Sequence, residues 1–170
     1  RSLRFPVDQV TVAGDTVAYR DGQRVWIGYG ALSQFSGGGL PFFVSSVSSE
    51  VATDPDLSRR SGLLAWVARD KTASGPSKFV LYLGESPEGR KRLVASSDWD
   101  VRHPSFSADG QRIAWNEESS PSPRLWVTDL STARASFVGD GASPSWSPDG
   151  EWIAFESGTP PSIYRVRPDG

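Results

Sequence analysis

The sequence predicts an all-β chain of four-stranded antiparallel blades stacked as a β-propeller. Three observations carry the prediction: an internal repeat, a recurring pair of apolar triplets, and turn chemistry suited to short hairpins. The repeat is the most direct. His103-Pro104-Ser105-Phe106-Ser107-Ala108-Asp109-Gly110-Gln111-Arg112-Ile113-Ala114-Trp115 recurs as Ser143-Pro144-Ser145-Trp146-Ser147-Pro148-Asp149-Gly150-Glu151-Trp152-Ile153-Ala154-Phe155, 40 residues later and without a gap.

The triplets extend the pattern upstream. Val17-Ala18-Tyr19, Leu64-Ala65-Trp66, Ile113-Ala114-Trp115 and Ile153-Ala154-Phe155 are four copies of one aliphatic-Ala-aromatic unit. Each is followed by a second apolar triplet: Val25-Trp26-Ile27, Leu81-Tyr82-Leu83, Leu125-Trp126-Val127 and Ile163-Tyr164-Arg165. The alanines are spaced by 47, 49 and 40 residues, close to the roughly 40–50 residues of a four-stranded blade. A small side chain lets stacked sheets approach to about 10 Å. The aromatic beside it is expected to fill space nearer the rim.

The turns agree with hairpins. In Ser147-Pro148-Asp149-Gly150 the proline presets the second position of a type I turn and the glycine accepts the positive φ that closes it. Asp21-Gly22, Ala108-Asp109-Gly110 and Pro168-Asp169-Gly170 repeat the chemistry, and Asp109 and Asp149 are read as turn residues. The best helical stretch, residues 50–60, is broken by Pro55 and lacks an apolar stripe. One domain over residues 1–170 is expected, with blades at about 7–47, 50–97, 98–140 and 141–170. Residues 1–6 could serve as a closing outermost strand, so that four blades form a small ring; the alternative is an arc of a larger one.

The two Pro-Ser-aromatic-Ser-x-Asp-Gly segments at 104–110 and 144–150, each leading into Ile-Ala-aromatic, resemble the TolB-like β-propeller repeat. The resemblance is specific over residues 98–170; the first two units keep the alanine and aromatic but lose the Ser-Pro-Asp-Gly turn. It implies a propeller, six-bladed in its best-known members, that is exported to the periplasm or the cell exterior and binds protein partners through its channel mouth or loops.

Composition narrows the chemistry. Charges nearly balance, with 18 Lys plus Arg against 20 Asp plus Glu and a net charge of −2, so no general attraction to nucleic acid or an anionic membrane is expected. The cluster Arg90-Lys91-Arg92 reads as a solvated strand edge. With no cysteine there is no disulfide framework, thiolate metal site or cysteine nucleophile. No apolar run is long enough to cross a bilayer, so membrane insertion is not expected. The chain starts at Arg1 and contains no methionine, so a natural start and any export signal are expected to lie outside these residues.

His103 is the only histidine, and no Gly-x-Ser-x-Gly elbow accompanies it, so a channel-lining role is read in preference to catalysis. A zinc site with one histidine and no cysteine would need several carboxylates. Gly37-Gly38-Gly39 lacks the lysine and helix of a phosphate loop and reads as a connector. Asp54, Asp56 and Asp70 lack the glycine and terminal glutamate of a calcium loop. No catalytic residue, metal or cofactor is therefore expected. His103, Trp99 and Arg102 are the candidate binding residues, with recognition varied by loops at 30–39, 71–78 and 117–123. The expected function is a non-catalytic scaffold for a protein partner or sensed ligand. Two alternatives stay open: the propeller part of a prolyl-oligopeptidase-type peptidase whose hydrolase half lies elsewhere, and a structural module that completes its ring by self-association through blade edges.

Overall fold

A computed structural model describes residues 9–13, 16–21, 24–29, 52–70, 78–85 and 90–169. The described residues hold fourteen strands in four antiparallel sheets and no helix. The first sheet is β1 (Gln9–Ala13), β2 (Thr16–Asp21) and β3 (Arg24–Tyr29). The second is β4 (Ala52–Leu57), β5 (Leu64–Asp70), β6 (Lys78–Gly84) and β7 (Lys91–Ser97). The third is β8 (Val101–Phe106), β9 (Arg112–Glu117), β10 (Arg124–Asp129) and β11 (Arg134–Asp140). The last is β12 (Ala142–Trp146), β13 (Ile153–Ser157) and β14 (Ser162–Val166). Each sheet is a meander in chain order, and the innermost strands β1, β4, β8 and β12 lie one beside the next.

The repeated triplets explain the stacking. Successive residues of a strand point to opposite faces, so an alanine and the aromatic after it serve two different interfaces. Ala18, Ala65 and Ala114 are each fully buried. Ala18 sits in a core with Leu64 and Trp66 of the next sheet, Ala65 with Ile113 and Trp115, and Ala114 with Ile153 and Phe155. The alanine and the aromatic after it thus belong to different cores, the aromatic sharing one with the alanine of the preceding sheet. Burying each such large side chain contributes about 1.5–3 kcal/mol. On the same face the second triplet adds a neighbouring ring: Trp115 stacks on Trp126 at 5.9 Å, and Trp126 meets the edge of Phe137 at 5.7 Å. Trp115 Nε1 donates to Thr128 Oγ1 at 2.9 Å, which satisfies an otherwise buried donor.

The four sheets do not close into a ring within the described residues. Ala154, the fourth alanine, is partly exposed, and Ile163, which pairs with Glu156 on the same face, is 73% exposed. The equivalent Leu125 of the third sheet is fully buried against Ile153. Residues 1–6, the proposed closing strand, and the loops at 30–39 and 71–77 lie outside the described residues.

The hairpin turns follow the expected chemistry in the last two sheets. Gly110 and Gly150 have φ of 68° and 73°, and each donates its N–H to the serine three residues earlier at 2.9 Å. Asp109 accepts from the Ser107 hydroxyl and the Gln111 N–H, and Asp149 from Ser147 and Glu151. These bonds stabilise the ionised carboxylates, and both acids titrate below their ordinary value, the serine hydroxyl being the largest cause. The second sheet makes its turn differently. Gly62, with φ of 69°, closes back on Ser58 by a bond one residue longer.

Candidate functional site

The innermost strands share one irregularity. Register shifts occur between Thr53 and Asp56, Arg102 and Ser105, and Ala142 and Ser145. At each shift a non-glycine residue with positive φ stands directly before a proline: Asp54 at 51°, His103 at 49° and Ser143 at 54°. Left-handed backbone is rare outside glycine and costs on the order of 1–3 kcal/mol, so it persists only where the surroundings hold it. Here the holding groups are identifiable. Asp54 Oδ2 accepts the His103 N–H at 3.2 Å, and Asp56 Oδ2 accepts the Phe106 N–H at 2.8 Å. At the next junction Asn116 Oδ1 accepts the Ser143 N–H at 3.2 Å.

These side chains work between blades. Asp56 reaches both ways, since its Oδ1 also accepts the Thr11 hydroxyl from β1 at 3.1 Å. One carboxylate therefore ties three consecutive inner strands. Burial pushes the Asp56 carboxyl above its ordinary range, opposed by the Phe106 N–H and the Thr11 hydroxyl. Asp54 is 4% exposed and lies 3.9 Å from Arg102 Nη1, and Arg102 in turn donates through Nε to Asp100 at 2.9 Å.

A cleft of about 480 Å³ opens over the three bends, lined by Val10 of β1, by the Asp54-Pro55-Asp56 and His103-Pro104-Ser105 segments, and by Ser143-Pro144. A second cleft of similar size lies toward the Ser-x-Asp-Gly turns and shares Asp56 and Ser105 with the first. Together they trace a trough along the inner strands, within the usual size range of small-ligand or side-chain sites. No group of three or more metal-ligating side chains is present among the described residues.

The three residues singled out by the sequence fare differently. His103 lines the cleft, with Nδ1 3.2 Å from Asn116 Oδ1. Arg102 does not line it but sits behind, between Asp100 and Asp54. Trp99 lies on the connection between β7 and β8, 48% exposed, its N–H bonded to Ser97 Oγ. Sequence reasoning passed over Asp54, Asp56 and Asn116. A signal existed for the first two: Asp54-Pro55-Asp56-Leu57-Ser58 precedes His103-Pro104-Ser105-Phe106-Ser107 by 49 residues, the same interval that separates Ala65 from Ala114.

No family model matches the chain. The Tol-Pal system protein TolB of Alcanivorax borkumensis is 26% identical over 97 residues, covering 54% of this chain and 22% of that protein. The structure of putative TolB from Agrobacterium tumefaciens superposes with a TM-score of 0.74 at 20% identity, over 99% of this chain and 60% of that one. Oligogalacturonate lyase from Vibrio parahaemolyticus superposes with a TM-score of 0.65 at 16% identity, over 90% of this chain and 46% of that one. The chain thus spans less than two thirds of the length of each. Repeat, strand order and superposition agree, and the chain is a β-propeller built of TolB-like blades.

Proposed function

We propose that the chain is a non-catalytic binding module that receives a protein partner at the axial cleft. One observation carries the reading: the carboxylate nearest the histidine and the serines of the repeat turns are engaged in holding the backbone. Asp54 meets the backbone N–H of His103 rather than its ring, and His103 Nδ1 is held by Asn116. The serines of the repeat turns, Ser107 and Ser147, are bound to Asp109 and Asp149. A serine nucleophile needs a general base of matched strength, and the only carboxylates beside these two among the described residues, Asp109 and Asp149, are held below their ordinary pKa by the turn itself. The fold also serves an oligogalacturonate lyase, so fold alone decides nothing about catalysis. The likeness to TolB supports export from the cytoplasm and recognition of a protein, and no helix among the described residues is long and apolar enough to cross a membrane.

The test is site-specific photocrosslinking in the native host. A photoreactive amino acid at Ser105 or Ser143 should give an adduct with a discrete protein, while the same label at Ser131, in a rim turn, should not. Equal labelling from all three positions, or none from the cleft, sinks the reading. Fractionation of the host checks export.

A second reading, self-association through the outer side of the last blade, is favoured by the open far face of that sheet, where Ile163 is 73% exposed. Sedimentation velocity distinguishes it: a monomer at every concentration excludes it.

A further inference from the structure

A single exposed apolar ring calls for no explanation by itself, but Trp99 differs from every other tryptophan among the described residues. Trp66 packs on Tyr82 with ring centroids 5.7 Å apart, and Trp115 stacks on Trp126 at 5.9 Å. The Arg112 guanidinium lies 4.7 Å over Trp146, and that of Arg165 lies 4.3 Å over Trp152. Trp99 is 48% exposed, and its ring has no aromatic, cationic or hydrogen-bonding partner among the described residues.

The fold does not require it. Inner strand β8 is reached from β7 through three residues, Asp98-Trp99-Asp100, whereas β12 is reached from β11 through Gly141 alone. The following repeat thus makes the same connection without any side chain. The longer connection is nonetheless held from both ends. The Trp99 N–H donates to Ser97 Oγ at 3.0 Å, and the Ser97 hydroxyl donates to buried Glu117 at 2.8 Å. Asp100 accepts the Glu118 N–H on its carbonyl at 2.8 Å and Arg102 Nε on its carboxylate at 2.9 Å. An aromatic ring on a fixed loop gives up little freedom on binding and brings a large contact area.

Position and charge limit what the ring can meet. Trp99 stands just before the end of β8 that carries His103 into the axial cleft. A projecting ring is the reverse of a small-ligand site, which is concave. The charged side chains of this connection and of the segments bonded to it are Asp98, Asp100, Glu117 and Glu118 against Arg102 and Arg124, an acidic excess. Nucleic acid and an anionic bilayer both call for the opposite sign. A protein surface with an apolar recess meets each condition.

We infer that Trp99 is the aromatic anchor of the partner interface, its ring seating in an apolar recess of the protein that reaches the axial cleft. The inference rests on the proposed partner binding and names the residue and the kind of surface that carry it.

The probe is the protein recovered as the Ser105 adduct, purified and titrated into the full chain labelled with fluorotryptophan. The chain has seven tryptophans, and Trp99→Phe assigns the Trp99 fluorine line. In the free chain that line should shift on transfer to heavy water, as an exposed ring does, and the solvent shift should fall when the partner binds. Trp99→Ala should leave the urea midpoint in place and weaken the partner about thirtyfold, the scale of a hot-spot residue, with Trp99→Phe in between. Vesicles of phosphatidylcholine with phosphatidylglycerol should not move the line, and neither should dilution of the chain. Undiminished affinity of Trp99→Ala, a line unmoved by the partner, or a line moved by vesicles or by dilution overturns the inference. The first two results, with the Ser105 adduct intact, leave partner binding at the cleft standing. If Ser105 yields no adduct, the photoreactive residue is placed at position 99 instead: a discrete protein adduct there upholds the anchor without the cleft, and none removes both.

Discussion

Two of the three inner junctions of the described arc solve one problem with different chemistry. Between the second and third sheets, carboxylates hold the bend: Asp54 takes the N–H of His103 and Asp56 that of Phe106. Between the third and fourth, an amide takes the N–H of Ser143. A carboxylate gives the stronger, charge-assisted bond but must be kept ionised away from water. An amide gives a weaker bond that does not titrate and has a donor to spare, which Asn116 uses on Glu118. The first junction should therefore respond to pH and the second to changes of shape.

The largest effect is expected at the carboxylate junction. Asp56→Ala strands the Phe106 N–H and frees Thr11 from β4, and should cost about 3 kcal/mol, read as a lower urea midpoint. Next is the close approach at the amide junction. A Cβ on Gly141 would run into the Phe155 ring and come within 2.8 Å of the Glu156 carbonyl. Gly141→Ala should thus cost about 2 kcal/mol by overpacking, again by urea titration.

Exchanging the chemistries sharpens the contrast. Asn116→Asp removes the donor to Glu118 and sets two acids side by side, and should cost about 1 kcal/mol at neutral pH, less as the pH is lowered and one of them protonates.

The pH response of Asp56 has a definite sign. Its folded pKa is raised by burial, so the native state binds the proton more readily than the unfolded chain. The cost of holding it ionised is full above the folded pKa. It fades as pH falls through that value toward the ordinary 3.8, and is gone below it. Asp56→Asn should accordingly hold its largest advantage over Asp56 at neutral pH and lose it in mild acid. A gap between the two urea midpoints that widens on acidification would contradict this assignment.

The smallest effect lies at the rim. Asp129, in the turn before β11, is lowered to about 2 by the Ser131 hydroxyl first and the Thr132 N–H next. Its contribution is present above the ordinary 3.8 and is lost as pH falls through about 2. A carboxyl NMR titration should place its midpoint there, and Ser131→Ala should raise it.

Much of the fold was legible because the repeat keeps its packing residues in kind. Alanine, the aromatic after it and the second triplet recur in fixed order, and three of the four alanines, Ala18, Ala65 and Ala114, are blade contacts. The division of each triplet between two interfaces was not legible from composition; it follows from alternation along the strand. The site was legible in part. His103 stood out as a lone histidine before a proline, but its counterparts Asp54 and Ser143 did not. Their shared property is a backbone angle, which residue identity does not display. Asp54 was further hidden because the turn after it, Ser58-Arg59-Arg60-Ser61-Gly62, replaces the Asp-Gly pair that marked the later copies. Asn116 lay beyond the triplet, and only the fold brings it under His103 and Ser143.

The bends before the prolines also bear on what the centre of the propeller can accommodate. β4, β8 and β12 are edge strands of their sheets, and an intact edge invites an incoming chain to pair with it. Each of these edges is interrupted by a register slip and by a residue with no hydrogen to give. A visitor lying along the axis cannot zip onto them as a further strand; it has to be recognised by what projects from it.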